Sequence, residues 1–347
     1  MSHIVNMVEV SVSAIIVTYD GDVSMVARCV ESLRDQTAPP DEIVISDNSP
    51  DGRFAAHFAH CDPNMITIVN ERNNGFTGGA WAGAERSSGE LLIFVNPDSF
   101  LLPGCVGHLT DAIAGCPGAA IAGAQLLLPD GTVNGGVTPI HFSGLAWCGN
   151  YRGQPENGPP RPAFAVSGCA YLIKASTFRA FQGFRSRFEM YYDDSDLCWR
   201  THVAGLTTLF VPEALAVHDY ADKGVYRWFW VERNRLLMLL TNLECRTLLV
   251  IVPCLVLVEV CSWFMSLREG WWRHKARAYW EIATQPRWLL NERGKLANIR
   301  NVPDSAVVTH LCFKLETPGR PTPAAVRFGN MIFGVYKHLA SFALTNR

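Results

Sequence analysis

The 347-residue chain has no C-x-x-C pair among its 11 cysteines, and no Cys/His cluster at zinc-ligand spacing. That absence excludes a zinc ribbon or finger. The odd, scattered set also argues against a disulfide framework, so free thiols in a reducing compartment are expected. The first ten residues, MSHIVNMVEV, lack the charged region, long apolar run and cleavage site of a signal peptide. The N-terminal body is therefore expected in the cytoplasm. No G-x-G-x-x-G dinucleotide fingerprint is present, and no basic Gly-rich loop lies between Ile15 and Asp20. The second absence counts against a nucleotidyltransferase. With 48% apolar residues the chain is neither disordered nor low in complexity, and it carries no internal repeat. No nucleic-acid partner is expected.

The net charge of only −2 conceals a division. Residues 1–220 hold 12 basic and 23 acidic side chains, and residues 221–347 hold 18 and 9. An acidic body joined to a basic tail points to two different tasks.

Strand and helix patterns alternate through the body. Residues 11–17 (SVSAIIV), 42–47 (EIVISD) and 91–95 (LLIFV) read as buried strands, with a short one at 67–69. Val23, Val26, Ala27, Val30 and Leu33 follow helical spacing, 77–87 is a small-residue helix, and Pro103 opens another. Residues 129–164, rich in Gly, Pro and Asn, read as a long loop or insertion. A strand over 165–173, a helix over 194–204 and a strand ending at Pro212 follow. This alternation predicts an α/β layer with a mostly parallel sheet.

Five places carry candidate chemistry. Asp47 opens the segment DNSPDG directly after a strand, where a carboxylate faces the ligand crevice of a parallel sheet; the same residues also make an Asx-turn. Asn73 to Gly79 (NNGFTGG) enters a helix, which suits either an anion at the N-terminus or close helix–sheet packing. Asn96-Pro97-Asp98 follows LLIFV and places a hard ligand for Mg2+ or Mn2+, or else a turn aspartate. Asp193, Asp194 and Asp196 stand within four residues. Such crowding needs a nearby cation or raises a carboxyl toward the range of a general base, and acids at a helix start also answer the dipole. His218 is a lone histidine whose role depends on what lies across the crevice.

Taken in order, the segments Thr18-Tyr19, DNSPDG, NNGFTGG, NPD, SGCAYLI, DDSDLCWR, His218 and Glu232-Arg233-Asn234-Arg235 resemble the family 2 glycosyltransferases of GT-A fold. Among these the chain looks most like bacterial rhamnosyltransferase-type enzymes, which build cell-surface polysaccharide on lipid carriers. The resemblance spans about residues 11–240. It implies a nucleotide-diphospho-sugar transferase fold: a single mixed, mostly parallel sheet flanked by helices over residues 1–240, and a helical membrane-associating extension over 241–347. It further implies inverting transfer from a nucleoside-diphosphate sugar to a hydroxyl of a lipid-linked saccharide. By position, Thr18, Tyr19, Asp20 and Asp47 would surround the nucleotide, with Asn74, Gly75, Gly78 and Asn96 near the nucleotide-sugar. Asp98 matches the last acid of a D-x-D metal motif, and His218 matches a histidine that completes the site for Mg2+ or Mn2+. Asp194 matches the catalytic base, with Asp193 contacting the acceptor, and Arg233 would lie near the leaving phosphates. Two departures stand out: Asn96 replaces the first acid of D-x-D, and Asp193 replaces a glutamate. Another family 2 sugar transferase, such as a galactofuranosyl or glucosyl enzyme, and a non-catalytic nucleotide-sugar-binding subunit are the alternatives.

The tail holds a 20-residue apolar run, 248–267, with Glu259 as its one formal charge and Pro253 inside it. Arg268, Trp271, Trp272, Arg273, Lys275, Arg277, Tyr279, Trp280, Arg287 and Trp288 crowd beside it, a membrane-interface composition. A buried helix, a spanning helix and an in-plane or re-entrant segment are all compatible with the run. Pro253 and Glu259 favour the in-plane form, on the cytoplasmic face of the plasma membrane. A further surface helix is expected after Pro321 from Val326, Ile332, Phe333, Tyr336 and Leu339.

Overall fold

The computed structural model describes residues 10–59, 61–218, 224–317 and 322–345. Ten strands form one sheet: β1 Val12–Thr18, β2 Glu42–Asp47, β3 Met65–Val69, β4 Leu91–Val95, β5 Ser99–Leu101, β6 Ala119–Leu127, β7 Val133–Gly135, β8 Arg161–Pro162, β9 Ala170–Lys174 and β10 Thr207–His218. The helices are α1 Val23–Arg34, α2 Arg53–Phe58, α3 Gly75–Arg86, α4 Cys105–Gly115, α5 Ala175–Ala180, α6 Asp193–Val203, α7 Arg227–Asn242, α8 Cys245–Glu269, α9 Trp272–Ala283, α10 Pro286–Ile299, α11 Asp304–Val307 and α12 Ala324–Thr345.

The main path of the sheet runs β3-β2-β1-β4-β9-β6-β10-β5. β3, β2, β1 and β4 are parallel, as are β6 and β10, while β9 and β5 run against their neighbours. The expected mixed, mostly parallel sheet is therefore present. Its central strand β4 explains why. Leu91, Ile93 and Val95 enter the apolar layer of α1, α2 and α4, while Leu92 and Phe94 enter the layer of α3, α6 and α7. Period-2 alternation in a strand covered on both faces needs apolar residues at every position.

Three elements depart from the expectation. β10 does not stop at Pro212. It bulges between Val211 and Leu215, where a residue without an N–H costs no ladder bond, and runs on to His218. The 165–173 pattern yields a strand only from Ala170; residues 165–169 approach the sheet as a turn. Strand β6, AAIAGAQLL, is fully buried yet was not legible as a strand, since Ala and Gly carry little β signal.

All 11 cysteines are free, with Cys29, Cys105, Cys198 and Cys254 buried and Cys61, Cys148, Cys245 and Cys261 exposed. In the tail, α8 continues through Pro253, which is exposed, so the carbonyl it leaves unbonded can meet solvent. Ile251, Cys254 and Val258 of α8 and Phe333 of α12 join the same apolar cluster as the body. α12 is the helix expected after Pro321, although the side chain of Leu339 lies outside the described residues. Trp271 and Lys275 are buried within the protein rather than presented at its surface.

Candidate active site

The carboxyl ends of β1, β2 and β4 supply the first groups. Thr18 and Asp47 end adjacent parallel strands and are both buried. Asp47 accepts from the Ser49 amide at 2.8 Å and from the Phe54 and Ala55 amides at 3.0 and 2.9 Å. The last two are unbonded donors at the start of α2, so the carboxylate caps that helix. Thr18 Oγ1 adds a contact at 3.4 Å. The carboxylate of Asp47 thus ties the end of β2 to the start of α2. Tyr19 and Asp20 are exposed just beyond, on a loop that the Arg53 guanidinium reaches at the carbonyls of Tyr19 and Gly21.

The helix entered by the glycine-rich segment is likewise closed. The Thr77 amide donates to the Glu189 carbonyl at 3.3 Å, and Thr77 Oγ1 donates to the Ser186 carbonyl at 3.1 Å. A Cβ on Gly75, at φ +69°, would meet the Glu189 backbone at 2.8 Å, so glycine is required where the chain crosses. A Cβ on Gly78 would lie 2.4 Å from that of Asn74. Asn74 itself is exposed and accepts from Arg72. Gly75 and Gly78 thus permit close packing at this helix start.

The turn after β4 sets the second group. Asn96 accepts from the Ser99 amide, which starts β5, and β5 pairs Ser99 with His218 of β10. This register puts Asp98 Oδ1 3.4 Å from His218 Nε2. His218 is buried while Asp98 is 30% exposed. Burial would favour the neutral ring, but the Cys169 sulfur and the Asp98 carboxylate reverse this and raise His218 to about 10.

The third group is the start of α6. Asp194 Oδ2 accepts from the Gly168 amide at 2.8 Å, and Oδ1 accepts from the Ser195 amide at 2.6 Å and from Ser195 Oγ at 3.2 Å. Burial raises the Asp194 carboxyl against the pull of those bonds. Asp193, more buried, is pushed well above the usual carboxylate range by burial and then by the Asp194 charge. Asp196 differs: it is fully buried and paired with Arg185, Arg200 (2.9 Å) and the Asn242 amide (2.7 Å). The three neighbouring acids thus divide into one neutralised by cations and two that are not.

Gly168 and Cys169 join the second and third groups. Gly168 holds Asp194, while the Cys169 carbonyl accepts from the Asn96 amide at 2.9 Å and its sulfur lies 3.4 Å from Asn96 Nδ2 and 3.5 Å from His218 Nδ1. Both lie in the segment SGCAYLI, for which no chemical role was expected from the sequence, although Ser-Gly before an apolar strand is a turn signal.

Arg233 is engaged within the protein. Its guanidinium contacts Glu281 at 3.0 Å, Asn234 Oδ1 at 3.0 Å and the Arg187 carbonyl, and stacks on Trp230. Asn234 Nδ2 reaches the carbonyls of Phe188, Met190 and Tyr191 at 2.8, 2.8 and 2.9 Å. The pair clamps the segment leading into Asp193, where Glu189, Tyr191 and Tyr192 all have positive φ (56°, 64° and 65°). Each such residue costs on the order of 1–3 kcal/mol and persists only where its surroundings hold it.

An oxygen ligand and an imidazole 3.4 Å apart are a spacing that two ligands of one ion can share, so Asp98 and His218 suit Mg2+ or Mn2+. Among the described residues no three His, Cys, Asp or Glu side chains enclose an ion.

Residues 13–176 match the family model described as Glycosyl transferase family 2. The N-acetylglucosaminyl-diphospho-decaprenol L-rhamnosyltransferase of Mycobacterium tuberculosis is 29% identical over 220 residues, covering 56% of this chain and 71% of that protein. The O-antigen biosynthesis protein RfbC of Myxococcus xanthus is 26% identical over 220 residues, 59% of this chain and 17% of that protein. Among solved structures, GalNAc-T7 with UDP, GalNAc and Mn2+ superposes with a TM-score of 0.58 at 16% identity, over 67% of this chain and 48% of its own. The chain thus spans about half the length of that structure, and the likeness is one of fold.

Proposed function

We propose that this glycosyltransferase, whose residues 13–176 match the family 2 model on a GT-A fold, carries out an inverting transfer at a membrane surface. The donor is a nucleoside-diphosphate sugar, with rhamnose as the first candidate because the Mycobacterium relative is named a rhamnosyltransferase. The acceptor is a hydroxyl of a lipid-linked saccharide in cell-surface polysaccharide synthesis, again by analogy with the decaprenol-linked substrate in that name.

Asp194 serves as the base. Its carboxylate takes the proton of the acceptor hydroxyl, whose oxygen attacks the anomeric carbon while the bond to the diphosphate breaks on the opposite face. The raised affinity of Asp194 for a proton suits that task. Asp193 stands beside it toward the acceptor. Tyr19 and Asp20, exposed at the end of β1, face the nucleotide. Asp98 and His218 would hold a divalent cation. Such an ion, when bound, supplies positive charge against the negative charge developing on the departing diphosphate.

The tail is read as monotopic, on the cytoplasmic face. α8 is long and apolar enough to cross a membrane, by length and composition. Its buried face, however, is committed to the protein core, as Ile251, Cys254 and Val258 require. A helix lying in the membrane plane keeps both sets of contacts. The domain division proposed here, a catalytic unit over 1–240 and a membrane-associating extension over 241–347, follows the same reading.

The observation that carries the proposal is the Gly168-Cys169 bridge, which holds the candidate base and the candidate metal pair in one site. Asp194→Asn should abolish transfer across a panel of nucleotide sugars while leaving nucleotide binding intact. Appreciable turnover by that variant removes Asp194 from the role. The same panel, run on the wild-type protein, identifies the donor and separates rhamnosyl from galactofuranosyl or glucosyl transfer.

A further inference from the structure

Glu259, the one formal charge in the apolar run of α8, lies in a buried ring of charges. One oxygen meets Arg235 of α7; the other accepts from Lys275 of α9 at 2.9 Å and from the Tyr279 hydroxyl. Glu232 of α7 closes the ring, with Arg235 at 2.9 Å and Lys275 as its partners. Two carboxylates and two cations alternate, and Arg235 and Lys275 are wholly buried. Charges taken this far out of water depend on one another, so removing one leaves its partners uncompensated.

The four consecutive residues Glu232-Arg233-Asn234-Arg235 point two ways. Glu232 and Arg235 face the ring under α8, whereas Arg233 and Asn234 grip the 187–191 carbonyls that lead into Asp193 and Asp194. Arg235 also donates to the Ser143 carbonyl at 2.9 Å, and Gly144 leaves room for its stem: a Cβ there would lie 2.9 Å from Arg235 Cγ. The same loop returns to the acids, because the Ala146 amide donates to the Tyr192 hydroxyl at 3.2 Å. A shift of α8 therefore reaches the strained catalytic segment through α7 from two sides.

The outer face of α8 is apolar. Leu249, Val252, Val256, Val260, Phe264 and Leu267 are exposed at steps of three and four, one stripe of the helix. α12, tied to α8 by Tyr336 against the Val250 carbonyl, adds exposed Phe328, Met331 and Val335. Exposed Trp272 and Trp280 with Arg268, Arg273 and Arg287 flank this surface. Aromatic and basic residues beside an apolar stripe suit an anionic lipid surface better than a protein groove.

We propose that anionic lipid occupies this face of α8 and α12, and that Glu259 is a positioning residue which passes that contact through Arg235 to the catalytic segment 187–192. The proposal rests on the membrane reading above and adds its regulation.

Hydrogen–deuterium exchange of the whole chain, with and without vesicles of equal phosphatidylglycerol and phosphatidylcholine, tests it. Vesicles should slow exchange at least about twofold both in peptides covering 249–267 and in those covering 187–192. In the variant Glu259→Leu with Lys275→Met, which keeps Glu232 and Arg235 as a matched pair, slowing should persist in α8 and vanish from 187–192. Glu259→Gln, which keeps the shape and an acceptor oxygen, is the second variant and should weaken the slowing in 187–192. Slowing in wild-type α8 but not in 187–192, or undiminished slowing of 187–192 in either variant, overturns the coupling and leaves the membrane reading standing. No slowing in α8 overturns both.

Discussion

The amide of Gly168 donates to Asp194 Oδ2 at 2.8 Å across a sequence gap of 26 residues. The bond aims one carboxylate oxygen, and the absence of a Cβ lets the turn approach that closely. A Cβ on Gly168 would sit 3.0 Å from Asp194 Cβ and 3.2 Å from Oδ2. Because Cys169 follows directly and touches Asn96 and His218, any displacement of the turn moves the base relative to the candidate metal pair.

Gly168→Ala should therefore lower kcat by roughly 10–100-fold, the scale of a displacement near 1 Å at a reacting group. The change is local, and the sheet on either side is undisturbed, so thermal stability should fall little. Steady-state kinetics beside a melting curve checks this. Unchanged kcat would show that Asp194 keeps its place without the Gly168 contact.

Asp193 should make stability depend on pH in an unusual direction. Burial and the Asp194 charge raise its carboxyl in the folded protein above the ordinary value of 3.8. An acid raised in this way favours the folded state while protonated, and that contribution is lost as pH rises through the raised value. Asp193→Asn, which cannot ionise, should thus melt at a higher temperature than wild type near pH 7–8, with the difference closing toward pH 4. Each 1 kcal/mol gained corresponds to about 1–2 °C for a chain of this size. A variant less stable than wild type at pH 8 would contradict the assignment.

The parts of this site that were legible in the sequence are those where one strand delivers one residue. LLIFV leads to Asp98 and the start of α6 presents Asp194, because strand ends and helix starts fix position locally. The parts that were not legible depend on contacts between distant segments. Asp47 reads the same whether or not its carboxylate caps α2, and only the fold shows the Phe54 and Ala55 amides bonded to it. Gly75 suits an anion cradle or close packing, and only the fold shows the Glu189 backbone against it. The contact of Arg233 and Asn234 with the 187–191 carbonyls joins segments more than 40 residues apart, which no local pattern shows. The pairing of His218 with Asp98 came from the resemblance alone, since the bulge past Pro212 that carries His218 to Asp98 breaks the strand pattern.

Divalent-metal dependence follows from that last pair. Chelation with EDTA should reduce transfer to background, and Mn2+ or Mg2+ should restore it. His218→Ala should weaken Mn2+ binding by at least about tenfold, measured calorimetrically with a nucleoside diphosphate present, as expected for loss of one nitrogen ligand. A chelated enzyme that retains full activity would leave Asp98 and His218 as a structural pair.

Asp194 and Asp196 stand two residues apart on one helix and should respond oppositely to the same change. Asp196 is fully buried, and its two oxygens meet Arg185, Arg200 and Asn242. Replacing it by Asn leaves two buried guanidinium groups short of a negative charge. Glu292, 3.2 Å from Arg185, compensates only part. Breaking such a pair costs about 3–5 kcal/mol. Asp196→Asn should therefore lower the midpoint of urea unfolding markedly, and any folded fraction should retain near-normal KM for the donor. Among the described residues Asp194 has no cation as a hydrogen-bond partner, only the amides of Gly168 and Ser195 and the Ser195 hydroxyl. Asp194→Asn should leave the unfolding midpoint close to wild type while transfer is lost. If both substitutions destabilise equally, the division of the three acids into one structural and two chemical members fails.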